Sequence, residues 1–177
     1  MPLFLCNRTG LMPSDKRNIA DIINNLRRVF QVINEQSKKA EKETGLTGPQ
    51  LWAIKVIAEF APIRVSVLAQ RMYLHPATVV GILDRLEARE FVTRTRSKED
   101  RRVVEITLTA QGQALLVDAP EVAQGLLVRG LESLQGDKLR KLDEGLYELA
   151  KILGAHELPP QLILSPEINA PNKQNGR

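Results

Sequence analysis

The stretch His75–Thr109, HPATVVGILDRLEAREFVTRTRSKEDRRVVEITLT, constrains the fold more than any other part of the chain. Its first half has helical periodicity. Val79, Ile82, Leu83 and Leu86 fall at i, i+3, i+4 and i+7, which gives one apolar face. The opposite face carries Ala77, Gly81, Asp84 and Ala88, flanked by Thr78 and Arg85. Pro76 suits a first helical turn, where a missing N–H costs nothing. Such a helix is anchored on one side and nearly flat on the other, so it can lie close to another surface.

The second half reads as two short strands, Phe91 to Thr95 and Val103 to Leu108, rich in β-branched residues. Between them RSKEDRR is too long for a two-residue turn. From Arg94 to Arg102 five basic residues (Arg94, Arg96, Lys98, Arg101, Arg102) face two acids, Glu99 and Asp100. A helix followed by a basic-tipped hairpin is the layout of a winged helix-turn-helix. The helix fits a major groove, and the tip reaches the phosphate backbone or the minor groove. A solvated charged loop is the plainer reading of the hairpin taken alone.

The rest of the chain supplies mostly helix. Ser14 or Asp15 is placed to cap a long helix ending near Thr44, with Ile19, Ile22, Ile23, Leu26, Phe30 and Ile33 along one side and Gly45 closing it. Thr47 and Gln50 have capping-box spacing, and Leu51, Ile54, Ile57 and Phe60 follow on one face until Pro62. Val65 to Met72 is the first helix of the helix-turn-helix, with Ser66 as its expected cap. Thr109 opens another helix, which Pro120 should kink or divide. Gly136 and Asp137 interrupt, and a last helix to about Leu153 carries Leu139, Leu142, Leu146 and Leu149 like a coiled-coil seam.

The first helix and the last two flank a small centre with little else to cover, so pairing with a second chain is expected. Helix 14–44 and helices 110–155 are assigned to dimerisation, and 46–109 to the winged helix-turn-helix. Residues 1–13 and the proline-bearing 156–177 are expected to be flexible tails.

Composition narrows the function. With 177 residues, 43% of them hydrophobic, the chain can bury a core, and its net charge of +4 is compatible with nucleic acid. The single cysteine, Cys6, rules out an intramolecular disulfide and agrees with a reducing, cytoplasmic setting. No apolar run reaches the ~18 residues of a membrane helix. His75 and His156 are far apart and a structural zinc site needs about four N/S ligands, so neither metal nor cofactor is expected. No phosphate loop, dinucleotide fingerprint or nucleophile elbow appears, and the expectation is a protein that is not an enzyme.

GLTGPQ before the second helix, ATVVGILDRLE in the groove-facing helix and EDRRVVEITLTAQG closing the wing resemble the MarR-type bacterial transcriptional regulators over about Ile19 to Leu153. The resemblance implies a homodimeric regulator, usually a repressor. It implies two winged domains on a pseudo-palindromic double-stranded operator, and a small-molecule effector, phenolic or other, bound between dimer region and DNA-binding lobe. It places Ala77, Thr78, Gly81 and Arg85 at the major groove, His75 and Pro76 at the helix entrance, and Ser66 at a phosphate. Arg102 would enter the minor groove with Asp100 orienting its guanidinium, and Arg94, Arg96, Lys98 and Arg101 would meet phosphates. Glu90 stands where the family usually has glycine, and His75 where a small polar residue is usual.

Phe30 and Trp52 are candidate linings of an effector pocket, with plain core packing as the alternative. Two rival functions remain at this level. A winged-helix protein-interaction module would use the same helix face without steep salt dependence, and a thiol-based regulator would use Cys6.

Overall fold

The local signals above become elements for identifiable reasons. The computed structural model describes residues 12–97 and 99–162, in which seven helices and three strands are found. The long helix α1 spans Pro13–Thr44. Its cap is Met12 rather than Ser14 or Asp15, and Asp15 instead accepts the Met12 backbone N–H at 3.1 Å. Gly45, with φ +67°, ends it in the left-handed conformation that glycine adopts without strain. Helix α2 (Gly48–Phe60) starts where expected, with Gln50 Oε1 accepting the Thr47 N–H at 3.1 Å, and stops before Pro62.

Next comes a two-residue strand, β1 (Ile63–Arg64), which the sequence reading did not anticipate, and then α3 (Val65–Met72) and α4 (Pro76–Ala88). Arg64 occupies the cap of α3, so Ser66 is its second helical residue rather than its cap. Strands β2 (Val92–Arg96) and β3 (Val104–Leu108) form the hairpin, and the antiparallel sheet has the order β1-β3-β2. Val92 pairs with Leu108, Arg96 with Val104, and Ile63 with Ile106.

Both hairpin strands start one residue later than expected: Val103 belongs to the turn at the tip, its N–H donating to Asp100 O, and Phe91 belongs to the end of α4. Its N–H donates to Leu86 O and the Glu90 N–H donates to Glu87 O, both at 2.9 Å. That is a Schellman closure, and Glu90 holds its left-handed position with φ +58°. A side chain there costs about 1 kcal/mol. Glu90→Gly is therefore expected to raise stability by roughly 0.5–1 kcal/mol, seen as a thermal midpoint higher by about 1–4 °C. A lower midpoint in circular dichroism melting would show that the Glu90 side chain contributes more than its backbone costs.

Pro120 divides the following helix in two, α5 (Ala110–Leu115) and α6 (Ala123–Glu132). Thr109 caps α5: its Oγ1 accepts the Gly112 N–H at 3.1 Å and donates to Glu90 O at 2.6 Å. Although α5 was grouped with the dimerisation helices 110–155, it packs on β3, and Leu115, Leu116 and Ala119 join the core of the winged unit. Gly136 begins α7 (Gly136–Ile152) rather than interrupting it; the break lies at Ser133–Gln135.

The core is the winged unit. Leu51, Ile54, Ile57, Leu68, Met72, Val79, Ile82, Leu83, Leu86 and Ile106 are fully buried in one cluster. The flanking helices are different. Ile19, Ile22, Ile23 and Phe30 on α1, and Leu139, Leu142 and Leu146 on α7, are exposed, and α7 buries no residue at all. No described helix is long and apolar enough to cross a membrane.

Candidate nucleic-acid interface

The recognition element begins with the turn Tyr73–His75. Tyr73 ends α3 with φ +52°, and the Leu74 N–H returns to Ala69 O at 3.0 Å. His75 then caps α4: its Nδ1 accepts the Ala77 N–H at 3.3 Å, with Pro76 at the first helical position. The sequence placed both residues at the helix entrance, and the geometry gives His75 a definite task there.

Beyond the cap, the buried stripe Val79, Ile82, Leu83 and Leu86 turns the small face outward. Ala77 is exposed, and Thr78 and Gly81 are half-buried. Arg85 lies along the same face, its guanidinium donating to Gly81 O at 2.9 Å. This leaves a low ridge bounded by a cation. Ser66 is exposed in the first turn of α3, on the element before the ridge.

The wing is attached to this helix by Arg94. Its guanidinium meets Asp84 Oδ1 at 2.7 Å and Glu87 Oε2 at 2.8 Å, and three-quarters of the side chain is buried. Arg94 was expected at a phosphate. Instead its charge is spent within the protein, holding β2 against α4. The sequence carried a signal for this in two carboxylates one helical turn apart ahead of an arginine-bearing strand, but strand register was needed to read it. The clamp also offsets one of the two negative charges that would otherwise face a polyanion.

At the tip, Asp100 Oδ1 accepts the backbone N–H of Arg102 at 2.9 Å, and the Val103 N–H donates to Asp100 O, also at 2.9 Å. Asp100 therefore folds the turn, a role side-chain carboxylates take readily. It does not grip the Arg102 guanidinium, as had been expected. Arg96, Arg101 and Arg102 are exposed around this turn, and Lys98 lies outside the described residues.

Phe30 and Trp52 are not brought together. Phe30 is exposed on α1, whereas Trp52 is buried against Gly125 of α6. An apolar groove of about 520 Å³ runs between α1 and α6, lined by Val29, Val32, Ile33, Ala123, Leu126, Leu127, Leu131 and Leu134 together with Arg28 and Gly130. At the C-terminal end of α6, Tyr73 Oη donates to Glu132 Oε1 at 2.9 Å, and that hydrogen bond, reinforced by the carboxylate's charge, raises the Tyr73 phenol above its ordinary pKa. At the other end of α6, Glu121 is held below the usual carboxylate range, chiefly by its bond to Arg129 and also by Lys55. These are ties between α6 and the winged unit rather than a catalytic pair. Cys6 lies outside the described residues, and no other thiol exists in the chain.

The MarR family model matches residues 46–104, from two residues before α2 to the first residue of β3. The organic hydroperoxide resistance transcriptional regulator of Bacillus subtilis is 31% identical over 121 residues, covering 68% of this chain and 81% of that protein. The chain belongs to the MarR family. It is a MarR-family transcriptional regulator with the winged-helix fold. The transcriptional repressor MdtR of Bacillus subtilis is 27% identical over 128 residues, covering 72% of this chain and 83% of the repressor. Among solved structures, the regulator BldR from Sulfolobus solfataricus aligns with a TM-score of 0.50 at 25% identity, covering 80% of this chain and 99% of BldR. FabT of Streptococcus pneumoniae, solved in complex with DNA, shares the fold with a TM-score of 0.50 at 20% identity, over 77% and 97% of the two chains.

Proposed function

We propose that this MarR-family regulator acts as a repressor, gripping a pseudo-palindromic duplex operator as a homodimer and releasing it when a small-molecule effector alters the spacing of its two recognition helices. The observation that carries the reading is the low outer ridge of α4 (Ala77, Thr78, Gly81, Arg85) locked through Arg94 to a wing whose Arg96, Arg101 and Arg102 face solvent. The ridge can approach base edges in a major groove, while His75, Pro76 and Ser66 fix its entry against the backbone. Arg102 enters the neighbouring minor groove, where narrow A·T-rich stretches attract an arginine. Arg96, Lys98 and Arg101 add phosphate contacts that raise affinity and salt sensitivity.

Pairing runs through the uncovered apolar faces of α1 and α7, with Ile19, Ile22, Ile23, Leu139, Leu142, Leu146 and Leu149 as its contacts. Two recognition helices must then meet grooves about 34 Å apart, so a few ångströms of spread costs contacts at both half-sites. The apolar groove of α1 and α6 suits a hydrophobic effector, such as a phenolic compound, with Arg28 in its lining for an acidic group. A repressor of this kind works in the cytoplasm beside its operator.

Arg102→Ala is expected to weaken operator binding by roughly ten-fold or more, in line with ~1–3 kcal/mol for a specific contact, and, with one Arg102 lost from each protomer, to lower the salt slope by about two. Fluorescence anisotropy of a labelled duplex from the region upstream of its own coding sequence measures both. Unchanged affinity with the fold intact would remove the wing from the interface.

A further inference from the structure

The end of α7 does not run off into solvent. Gly154, with φ +66°, closes the helix, and the Ala155 N–H returns to Ala150 O at 2.8 Å, reversing the chain. Leu158 adds a turn through Ala155 O at 3.1 Å, and Pro159 and Pro160 then stiffen the approach of Gln161 and Leu162. Leu162 is half-buried and packs against the core of the winged unit. Pro160, Gln161 and Leu162 share one surface cleft with Tyr73, Leu74, His75 and Thr78. Those four residues are the turn and first helical turn that introduce α4 to DNA.

Space at that place is decisive. A major groove is about 12 Å wide, and a helix with its side chains has a diameter of about 10–12 Å. The groove that accepts α4 therefore has no room for a second stretch of chain lying on its first turn. We propose that the segment Pro160–Leu162 is a built-in competitor of DNA, seated on the entrance of α4 by Leu162 and displaced when the operator binds. The inference rests on the DNA-binding reading above. It adds that the free protein is partly self-masked, and that its apparent affinity is reduced by the fraction of molecules in which the segment is seated. The paired prolines favour seating, because a stiff segment has less freedom to lose on docking.

Leu162→Ser in the full chain removes the apolar anchor without adding charge. It is expected to tighten binding to the upstream duplex about five- to ten-fold at constant salt, while preference over a scrambled duplex is unchanged. Affinity equal to or weaker than that of the unsubstituted protein would overturn the proposal, the second result by making the segment part of the DNA grip. A readout without DNA separates this from the underlying reading. With Cys6→Ser and Thr78→Cys as background, maleimide labelling at position 78 is expected to speed up several-fold when Leu162→Ser is added. An unchanged labelling rate would mean that the segment does not cover the helix entrance, whatever the protein binds. Faster labelling in a protein that binds no duplex would leave the segment seated on α4 but without DNA to compete with, and that too would overturn the proposal.

Discussion

Gly112→Ala is expected to lower the thermal midpoint by roughly 6–12 °C, although alanine is the better helix former. A Cβ at Gly112 would lie 2.1 Å from Phe91 O and 3.1 Å from Phe91 C, both backbone atoms, with Leu108 Cβ at 3.5 Å. No rotamer change relieves such a contact. Either α5 lifts from the sheet or the Phe91 peptide turns away. The second route is already blocked, because Phe91 O accepts the Thr109 N–H at 3.1 Å and the neighbouring Glu90 O accepts the Thr109 hydroxyl at 2.6 Å. Overpacking costs about 1–3 kcal/mol where side chains can adjust, so a clash against fixed backbone belongs at or above the upper end. At about 2–4 °C per kcal/mol for a chain of this size, the midpoint falls as stated. Helix propensity alone predicts a gain of about 1 kcal/mol, so the two accounts differ in sign. A midpoint that rises in circular dichroism melting would mean that α5 does not sit this close to the end of α4.

The second large effect concerns pairing. Leu142 and Leu146 lie one turn apart on α7 and are exposed, in a helix that buries nothing within its own chain. Replacing both, Leu142→Asp with Leu146→Asp, places two carboxylates where the proposed interface is apolar. Taking an unpaired charge out of water costs several kcal/mol, enough to dissociate a micromolar pair. Light scattering is expected to report two chains per particle for the unsubstituted protein and one for the variant. Operator affinity is expected to drop at least a hundred-fold, since a single half-site loses the contribution of its twin. The winged unit should keep its melting behaviour, because neither leucine touches its core. A variant that remains paired and binds fully would move the interface elsewhere.

Much of this was legible in the sequence wherever one residue governs one local event. Gly45, Thr47 with Gln50, Pro62, Thr109 and Pro120 each marked an end or a start that the structure contains. The stripe Val79, Ile82, Leu83 and Leu86 gave the buried side of α4, and with it the exposed ridge. What escaped needed partners distant in sequence. Strand β1 has two residues, and its pairing of Ile63 with Ile106 spans the whole helix-turn-helix. Arg94 looked like one more wing cation until β2 settled beside Asp84 and Glu87. Asp100 was expected to hold the Arg102 guanidinium and instead bonds its backbone: a carboxylate two residues ahead of an N–H closes a turn before it can reach a side chain. Phe30 and Trp52 were chosen as large aromatics, and their separation follows from which helix covers which, something periodicity does not encode.

The measurement that bears most directly on the central claim is an anisotropy titration at about 0.15 M salt, comparing a duplex from the protein's own upstream region with a scrambled duplex of equal length. Specific sites are typically bound at least about a thousand-fold more tightly than non-specific ones. A preference of that order, with two chains bound per duplex, is the predicted result. Equal affinity for both duplexes, or one chain per duplex at saturation, would contradict a paired winged-helix reader of operator DNA.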